Sequence, residues 1–113
     1  MDTLILDDGW QNVGIVRDYA TCGDWHPAPN RFPDMRRFVD AVHQLGMKMM
    51  LWLSVPFVGW ESENHGRFEG KYLFEYEEMQ CSVLDPRYPE VRQFLIDTYT
   101  HAVKVWGVDG LKL

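Results

Sequence analysis

The chain has 113 residues, enough for one small domain, and its composition is 46% hydrophobic and 25% charged, as is usual for a globular protein. A formal net charge of −6 argues against a nucleic-acid partner, and the apolar stretches are too short to cross a membrane. Neither Cys-x-x-Cys nor His-x-x-x-His is present, so we expect no metal and no cofactor, and we interpret Cys22 and Cys81 as reduced thiols. Met1-Asp2-Thr3 lacks the positive charge of a signal peptide, which favours a cytoplasmic location.

The first predicted element is a buried strand over residues 3–7, a short apolar run that ends at a turn signal. Asp7 and Asp8 then lie at its carboxyl end, where α/β sheets and barrels keep their ligand sites. Residues 11–31 show no sustained period and contain several glycines and prolines, so we interpret them as a loop.

A helix is predicted next, beginning after Asp34 and stopped by Gly46. Its apolar residues recur at helical spacing on one face: Met35, Phe38, Val39, Val42 and Leu45. A second strand is predicted over residues 47–53, after a very short loop.

Residues 54–86 are predicted to be a long and mostly irregular excursion, rich in glycine and glutamate. The aromatic residues in it indicate a loop that packs on another part of the protein. A second helix is predicted over residues 89–106, ended by Gly107, and a third strand over residues 108–113.

The order of these elements predicts an α/β fold, with long strand-to-helix loops on one face and short helix-to-strand loops on the other. A (β/α) barrel and a doubly wound sheet both show this asymmetry, although no dinucleotide-binding or phosphate-loop motif is present. Three strands cannot close a barrel of eight and leave two exposed edges. We therefore expect residues 1–113 to be a single fragment of a larger domain, truncated at its C-terminal end, with homo-oligomerisation through exposed sheet edges left open.

Four polar or aromatic residues are expected at one rim of the sheet, because the carboxyl ends of parallel strands meet there: Asp7, Asp8, Trp52 and Lys112. Carboxylates and lysine hydrogen-bond hydroxyl groups, and a tryptophan face packs on the C–H side of a pyranose, so the set suits a sugar. Each residue has an alternative interpretation: the acids cap a turn, Trp52 belongs to the core, and Lys112 is simply solvated. The four histidines are interpreted as structural or exposed.

A series of short motifs, in order along nearly the whole chain, resembles the α-galactosidases (melibiases) of glycoside hydrolase family 36. The motifs are Asp7-Asp8-Gly9-Trp10, Gly23-Asp24-Trp25, Phe32-Pro33, Val42-His43-x-x-Gly46-Met47-Lys48, Leu51-Trp52, Val83-Leu84-Asp85 and Val108-Asp109-Gly110-Leu111-Lys112.

The resemblance implies part of a (β/α)8 TIM barrel, about three strands and two helices of it, and a retaining mechanism that cleaves terminal α-linked galactose from oligosaccharides. It implies that Asp7 and Asp8 bind galactose hydroxyls, that Trp52 walls the pocket with Trp25 nearby, and that Lys112 contacts the sugar. It places the nucleophilic aspartate two residues after that lysine, beyond Leu113, so no residue of this chain is expected to be catalytic and these 113 residues alone are expected to be inactive.

Two positions depart from the family pattern. The family usually has a glutamate soon after Leu-Trp, but the run here is Leu53-Ser54-Val55-Pro56, without an acid. Met79 stands where the family often has a substrate-contacting arginine. These departures leave open a related enzyme that acts on another α-linked sugar, or a raffinose-synthase-like transferase. Two further alternatives are a non-catalytic carbohydrate-binding module that uses the same aromatic rim and a βαβ domain of unrelated function.

Overall fold

A computed structural model of the chain describes residues 2–11, 19–54 and 56–113. The three predicted strands form one parallel sheet: β1 (Thr3–Leu6), β2 (Lys48–Trp52) and β6 (Gly110–Lys112), in the order β1-β2-β6. The central strand is the most buried, with Met49 and Leu51 fully shielded from solvent, because it has a neighbour on each side. The α/β class is therefore confirmed.

Both predicted helices are present, and each ends slightly earlier than the sequence suggested. Helix α1 (Met35–Gln44) begins where the Asp34 side chain accepts a hydrogen bond from the Arg37 N–H, 3.1 Å away. Helix α3 (Pro89–Lys104) has a proline in its first turn, where a missing N–H costs nothing. The prediction that α3 continues through Val105 and Trp106 was wrong: Val105 is the C-cap, still with helical dihedral angles, and the Trp106 N–H shares the His101 carbonyl with the Val105 N–H ahead of the left-handed Gly107.

The prediction that residues 54–86 are mostly irregular was wrong. They contain a second, antiparallel sheet in the order β3-β5-β4, built from β3 (Phe57–Gly59), β4 (Tyr72–Tyr76) and β5 (Cys81–Leu84). A short helix, α2 (Glu63–Arg67), joins β3 to β4. The structure thus has six strands and three α-helices among its described residues, three strands and one helix more than expected.

The sequence conceals this sheet for identifiable reasons. Strand β3 has three residues, too few for an alternating pattern to be visible. Strand β5 is buried at all four positions, and β4 is exposed at four of five and carries a bulge between Tyr72 and Phe74. None of the three strands therefore shows the hydrophobic-polar alternation of a half-buried strand.

One hydrophobic core joins the parallel sheet, both long helices and the antiparallel sheet. It includes Val39 of α1, Met49 of β2, Val58 of β3 and Val91 of α3, all fully buried. Among the described residues, no helix is long and apolar enough to span a membrane.

Candidate functional site

Asp7 and Lys112 meet at the carboxyl end of the parallel sheet, across the central strand β2. The Lys112 ammonium donates a hydrogen bond to Asp7 Oδ2, and Asp7 Oδ1 accepts the Asp8 N–H at 2.8 Å. The lysine, together with that N–H, lowers the pKa of Asp7 below its ordinary value. Asp7 is therefore a carboxylate at neutral pH, about half exposed at 53%, and able to accept hydrogen bonds from a ligand.

Asp8 is oriented by a buried amide that the sequence analysis did not identify. Gln11 is 1% exposed, and its Nε2 donates to Asp8 Oδ1 at 2.8 Å while its Oε1 accepts the Gly9 N–H at 3.2 Å. The same Nε2 lies 3.7 Å from Cys22 Sγ. Gly9 has φ = +111°, a conformation that glycine adopts without strain, so the chain turns back sharply enough for this contact.

Three tryptophans, one of them two residues after Asp8, pack together. The Trp10 ring stacks on Trp25 with 6.2 Å between centroids, and Trp25 packs edge-on against Trp52 at 5.9 Å. Trp10 Nε1 also donates to the Trp52 carbonyl oxygen at 2.8 Å. Trp25 and Trp52 are 5% and 7% exposed, so each offers a ligand only a small part of its ring.

Trp25 carries two features that are unusual for a buried tryptophan. Its φ is +54°, in the left-handed region that residues other than glycine rarely adopt. Its buried Nε1 has no hydrogen-bond partner among the residues that the structure describes. Strained backbone and unpaired buried donors both occur preferentially at functional sites.

Tyr19 and Phe57 extend the aromatic surface beyond Trp52. The Tyr19 ring lies 6.0 Å from Trp52 and 5.5 Å from Phe57, measured between centroids. Burial raises the pKa of the Tyr19 hydroxyl, and the negative charge of the nearby Asp8 carboxylate raises it further. Nothing in the sequence pointed to Tyr19, because it lies in a region without periodicity.

Cys22 and Cys81 are both buried thiols, as predicted, and neither is in a disulfide. Burial raises the pKa of Cys22 to about 11, so its thiol is protonated at neutral pH and unreactive. Across the described part of the chain, no group of three or more His, Cys, Asp or Glu side chains is placed to hold a metal ion.

Three histidines pack against other parts of the fold. His43 pairs with Asp109, with 2.7 Å between Nε2 and Oδ2, at the opposite end of the sheet from Asp7. His65 stacks on Tyr72, and His101 packs edge-on against Trp106.

The five predicted site residues form one continuous series of contacts. Asp8 adjoins Asp7, which pairs with Lys112; Lys112 is the strand partner of Trp52, which contacts Trp25. The Asp7 carboxylate also accepts a turn N–H, so the turn interpretation of the acids applies in part. Lys112 is ion-paired with Asp7 and its side chain is still 47% exposed, so the solvated interpretation of Lys112 also applies in part. A cavity of about 240 Å³ nearby is lined by Trp25 but by none of the other four. Carboxylate acceptors, an ammonium donor and aromatic rings together suit a ligand with several hydroxyl groups.

Known proteins resemble the chain over almost its full length. The profile of the family described as Melibiase matches residues 1–112. A 1,4-alpha-glucan branching enzyme GlgB of Mycobacterium tuberculosis is 30% identical over 130 residues, which cover 96% of this chain and 18% of that protein. Alpha-galactosidase 1 of Pediococcus pentosaceus is 29% identical, over 92% of this chain and 13% of that protein.

Two solved structures have the same fold over 98% of the chain. An alpha-galactosidase from Lactobacillus brevis superposes with a TM-score of 0.83 at 29% identity, and the matched part is 16% of that protein. A GH36 alpha-galactosidase AgaA variant from Geobacillus stearothermophilus, in complex with raffinose, superposes with a TM-score of 0.86 at 21% identity, again over 16% of its length. The chain thus spans less than a fifth of each of these proteins.

Proposed function

Because the chain belongs to the melibiase family, we propose that it is part of the catalytic domain of a glycoside hydrolase that removes terminal α-linked galactose from oligosaccharides. The observation that carries this proposal is the contact series from Asp8 through Asp7 and Lys112 to Trp52 at one end of a parallel sheet. The L. brevis alpha-galactosidase supports it, since it shares both sequence and fold with this chain.

The parallel sheet and its two helices are proposed to be one segment of a (β/α)8 barrel. Strand β2 has a partner on each side, whereas β1 and β6 each pair with one strand among the described residues, as in a segment taken from a closed barrel. The small share of each relative that the chain covers supports a longer protein. The cytoplasmic location stays a prediction.

Within this segment, Asp7 and Asp8 are proposed to accept hydrogen bonds from sugar hydroxyls, and Lys112 to donate one while holding Asp7 ionised. Trp52 is proposed to wall the pocket, with Trp25 behind it. The lowered pKa of Asp7 argues for binding rather than for proton donation, because a general acid needs a pKa near the working pH. Hydrolysis with retention needs two further carboxylates about 5–5.5 Å apart, which we propose lie outside these 113 residues.

The complete protein that contains these residues tests the proposal directly. It should hydrolyse an aryl α-galactoside, and Asp8→Asn should weaken inhibition by free galactose by about tenfold, the cost of a hydrogen bond to a charged group. Asp40→Asn, which changes an aspartate on α1, is the matched control. Failure to cleave any α-galactoside would overturn the proposed specificity.

A second candidate is a related enzyme that acts on α-linked glucose or transfers a sugar. The similarity to a 1,4-alpha-glucan branching enzyme favours it, and so does Met79 at a position where the family often has an arginine. Assays of the same protein with an aryl α-glucoside and with an α-1,4-glucan separate the two candidates. Sugar binding without turnover of any of these substrates would favour a carbohydrate-binding module.

A further inference from the structure

We propose that Tyr19 and Phe57 form a platform for the second sugar of the substrate, the one released as the leaving group, and that Tyr19 determines specificity there. This inference rests on the proposed function and adds to it. The series of aromatic contacts runs from Trp52 to Tyr19 and on to Phe57, so it extends the surface that begins at the residues proposed to hold the first sugar.

The chemistry of the two rings suits a sugar recognised by its faces. Tyr19 and Phe57 are both half-buried, and their ring planes are tilted by 56° to one another, so each ring leaves part of its apolar surface open to a ligand. Such surfaces pack on the C–H faces of a pyranose and leave its hydroxyls in water. Lys112 and Asp7 instead suit a sugar whose hydroxyls are bound directly.

Strand β3 and the segments next to the antiparallel sheet hold Tyr19 in place through main-chain hydrogen bonds. The Tyr19 N–H donates to the Met79 carbonyl at 3.1 Å, and the carbonyls of Cys22 and Ala20 accept the N–H groups of Gly59 and Glu61 at 2.7 and 2.8 Å. The turn of residues 19–22 is thereby attached to β3, whose first residue is Phe57. This attachment gives the excursion between β2 and α3 a role in binding the substrate.

Gly59 makes this attachment possible. A Cβ at residue 59 would lie 2.1 Å from the Ala20 carbonyl oxygen and 2.2 Å from that of Tyr19. Only a residue without a side chain lets the turn lie this close to β3. The position of Tyr19 beside Trp52 therefore depends on the antiparallel sheet as well as on the turn itself.

The test compares two substrates of the complete protein, methyl α-galactoside and an α-galactosyl-glucose disaccharide. Tyr19→Ala should lower the ratio of kcat/KM for the disaccharide to kcat/KM for the methyl glycoside by about fivefold, the size expected for one lost ring contact. Tyr19→Phe, which keeps the ring, should restore most of the ratio. Tyr88→Ala, at an exposed tyrosine before α3, should not alter the ratio.

An equal loss on both substrates, or no loss on either, would overturn the inference. If Tyr19→Ala does not fold, Phe57→Ala gives the same comparison, with the same expected direction. If the unchanged protein prefers glucosides, the proposed specificity fails, and the ratio is measured with methyl α-glucoside and an α-linked glucose disaccharide. If the unchanged protein cleaves none of these substrates, the proposed function fails and this inference fails with it.

Discussion

The Gln11 side chain holds Asp8 in place through a 2.8 Å hydrogen bond from Nε2 to Oδ1, made by an amide that is almost completely buried. A buried amide has few alternative positions, so it fixes the direction in which the Asp8 carboxylate points. The same amide also accepts the Gly9 N–H. One side chain therefore both stabilises the turn at Gly9 and orients the carboxylate that is proposed to bind the ligand.

Gln11→Met should therefore impair both stability and ligand binding. It leaves Asp8 Oδ1 and the Gly9 N–H without this partner, which costs about 2 kcal/mol of unfolding free energy, measured by urea denaturation. Inhibition by free galactose should weaken in the complete protein, because Asp8 is no longer held in one direction. Gln44→Met, at an exposed position of α1, is the matched control and should have neither effect. Unchanged galactose inhibition in Gln11→Met would contradict the positioning role.

Lys112→Met should change the titration of Asp7. The lysine is the largest cause of the lowered pKa, so its removal should raise that pKa toward 3.8, while the Asp8 N–H keeps part of the effect. In the unchanged protein Asp7 consequently stays ionised to lower pH than in the variant. Carboxyl-carbon NMR during an acid titration measures this, with Lys104→Met on α3 as control. The same Asp7 pKa in both proteins would show that the ion pair is absent in solution.

The parallel sheet and the two long helices could be predicted because their signals are local. Residues 3–6 and 48–52 are short apolar runs between turn signals, and α1 has one clear apolar face with Asp34 and Gly46 at its ends. Because the carboxyl ends of parallel strands meet at one edge of a sheet, these strands predicted Asp7, Trp52 and Lys112 at one end of the sheet, where the structure has them.

Other parts of the site depend on contacts between residues distant in sequence. Tyr19 lies beside Trp52 in a turn, residues 19–22, that is hydrogen-bonded to β3 and to the segments next to the antiparallel sheet, and these contacts follow no periodic pattern. Gln11 looked like the first residue of a loop, and its burial follows from the turn at Gly9 and the packing of Cys22. Such features follow from tertiary packing, which a single sequence does not display.

Asp109 is expected to stabilise the end of the sheet opposite the proposed site. Its Oδ2 accepts the Met49 N–H at 2.8 Å and pairs with His43. Both contacts lower the pKa of Asp109, and the hydrogen bond from Met49 has the larger effect. A carboxylate with a lowered pKa in the folded state contributes stability above its unfolded pKa of about 3.9, and that stability is lost as pH falls through the folded value.

Asp109→Asn should consequently reduce unfolding free energy near neutral pH by less than about 1 kcal/mol, since the side chain is about a third exposed. The difference between variant and unchanged protein should shrink as the pH falls below about 4. Urea denaturation at several pH values measures it. Galactose inhibition at neutral pH should stay the same, because Asp109 lies at the other end of β2 from Trp52. A difference that does not vary with pH would contradict the role assigned to the charge.

Two glycine-to-alanine variants distinguish a glycine that is needed for close packing from one that only lowers helix propensity. Gly59→Ala should destabilise the protein by about 3 kcal/mol, since the new Cβ would overlap the Ala20 and Tyr19 carbonyls and the turn must move. Gly66→Ala, inside α2, meets nothing within 4 Å and should stabilise by about 0.5 kcal/mol through the higher helix propensity of alanine. Urea denaturation of both variants measures the difference.

The same two glycine variants also test whether the turn of residues 19–22 positions Tyr19 for the substrate. Displacement of the turn should move Tyr19 away from Trp52, so Gly59→Ala should lower the disaccharide-to-methyl-glycoside ratio of kcat/KM, whereas Gly66→Ala should not. If both variants unfold at the same urea concentration, the close approach of the turn to β3 is not maintained in solution. If Gly59→Ala is destabilised but keeps the ratio, then β3 holds the turn without controlling the substrate through Tyr19.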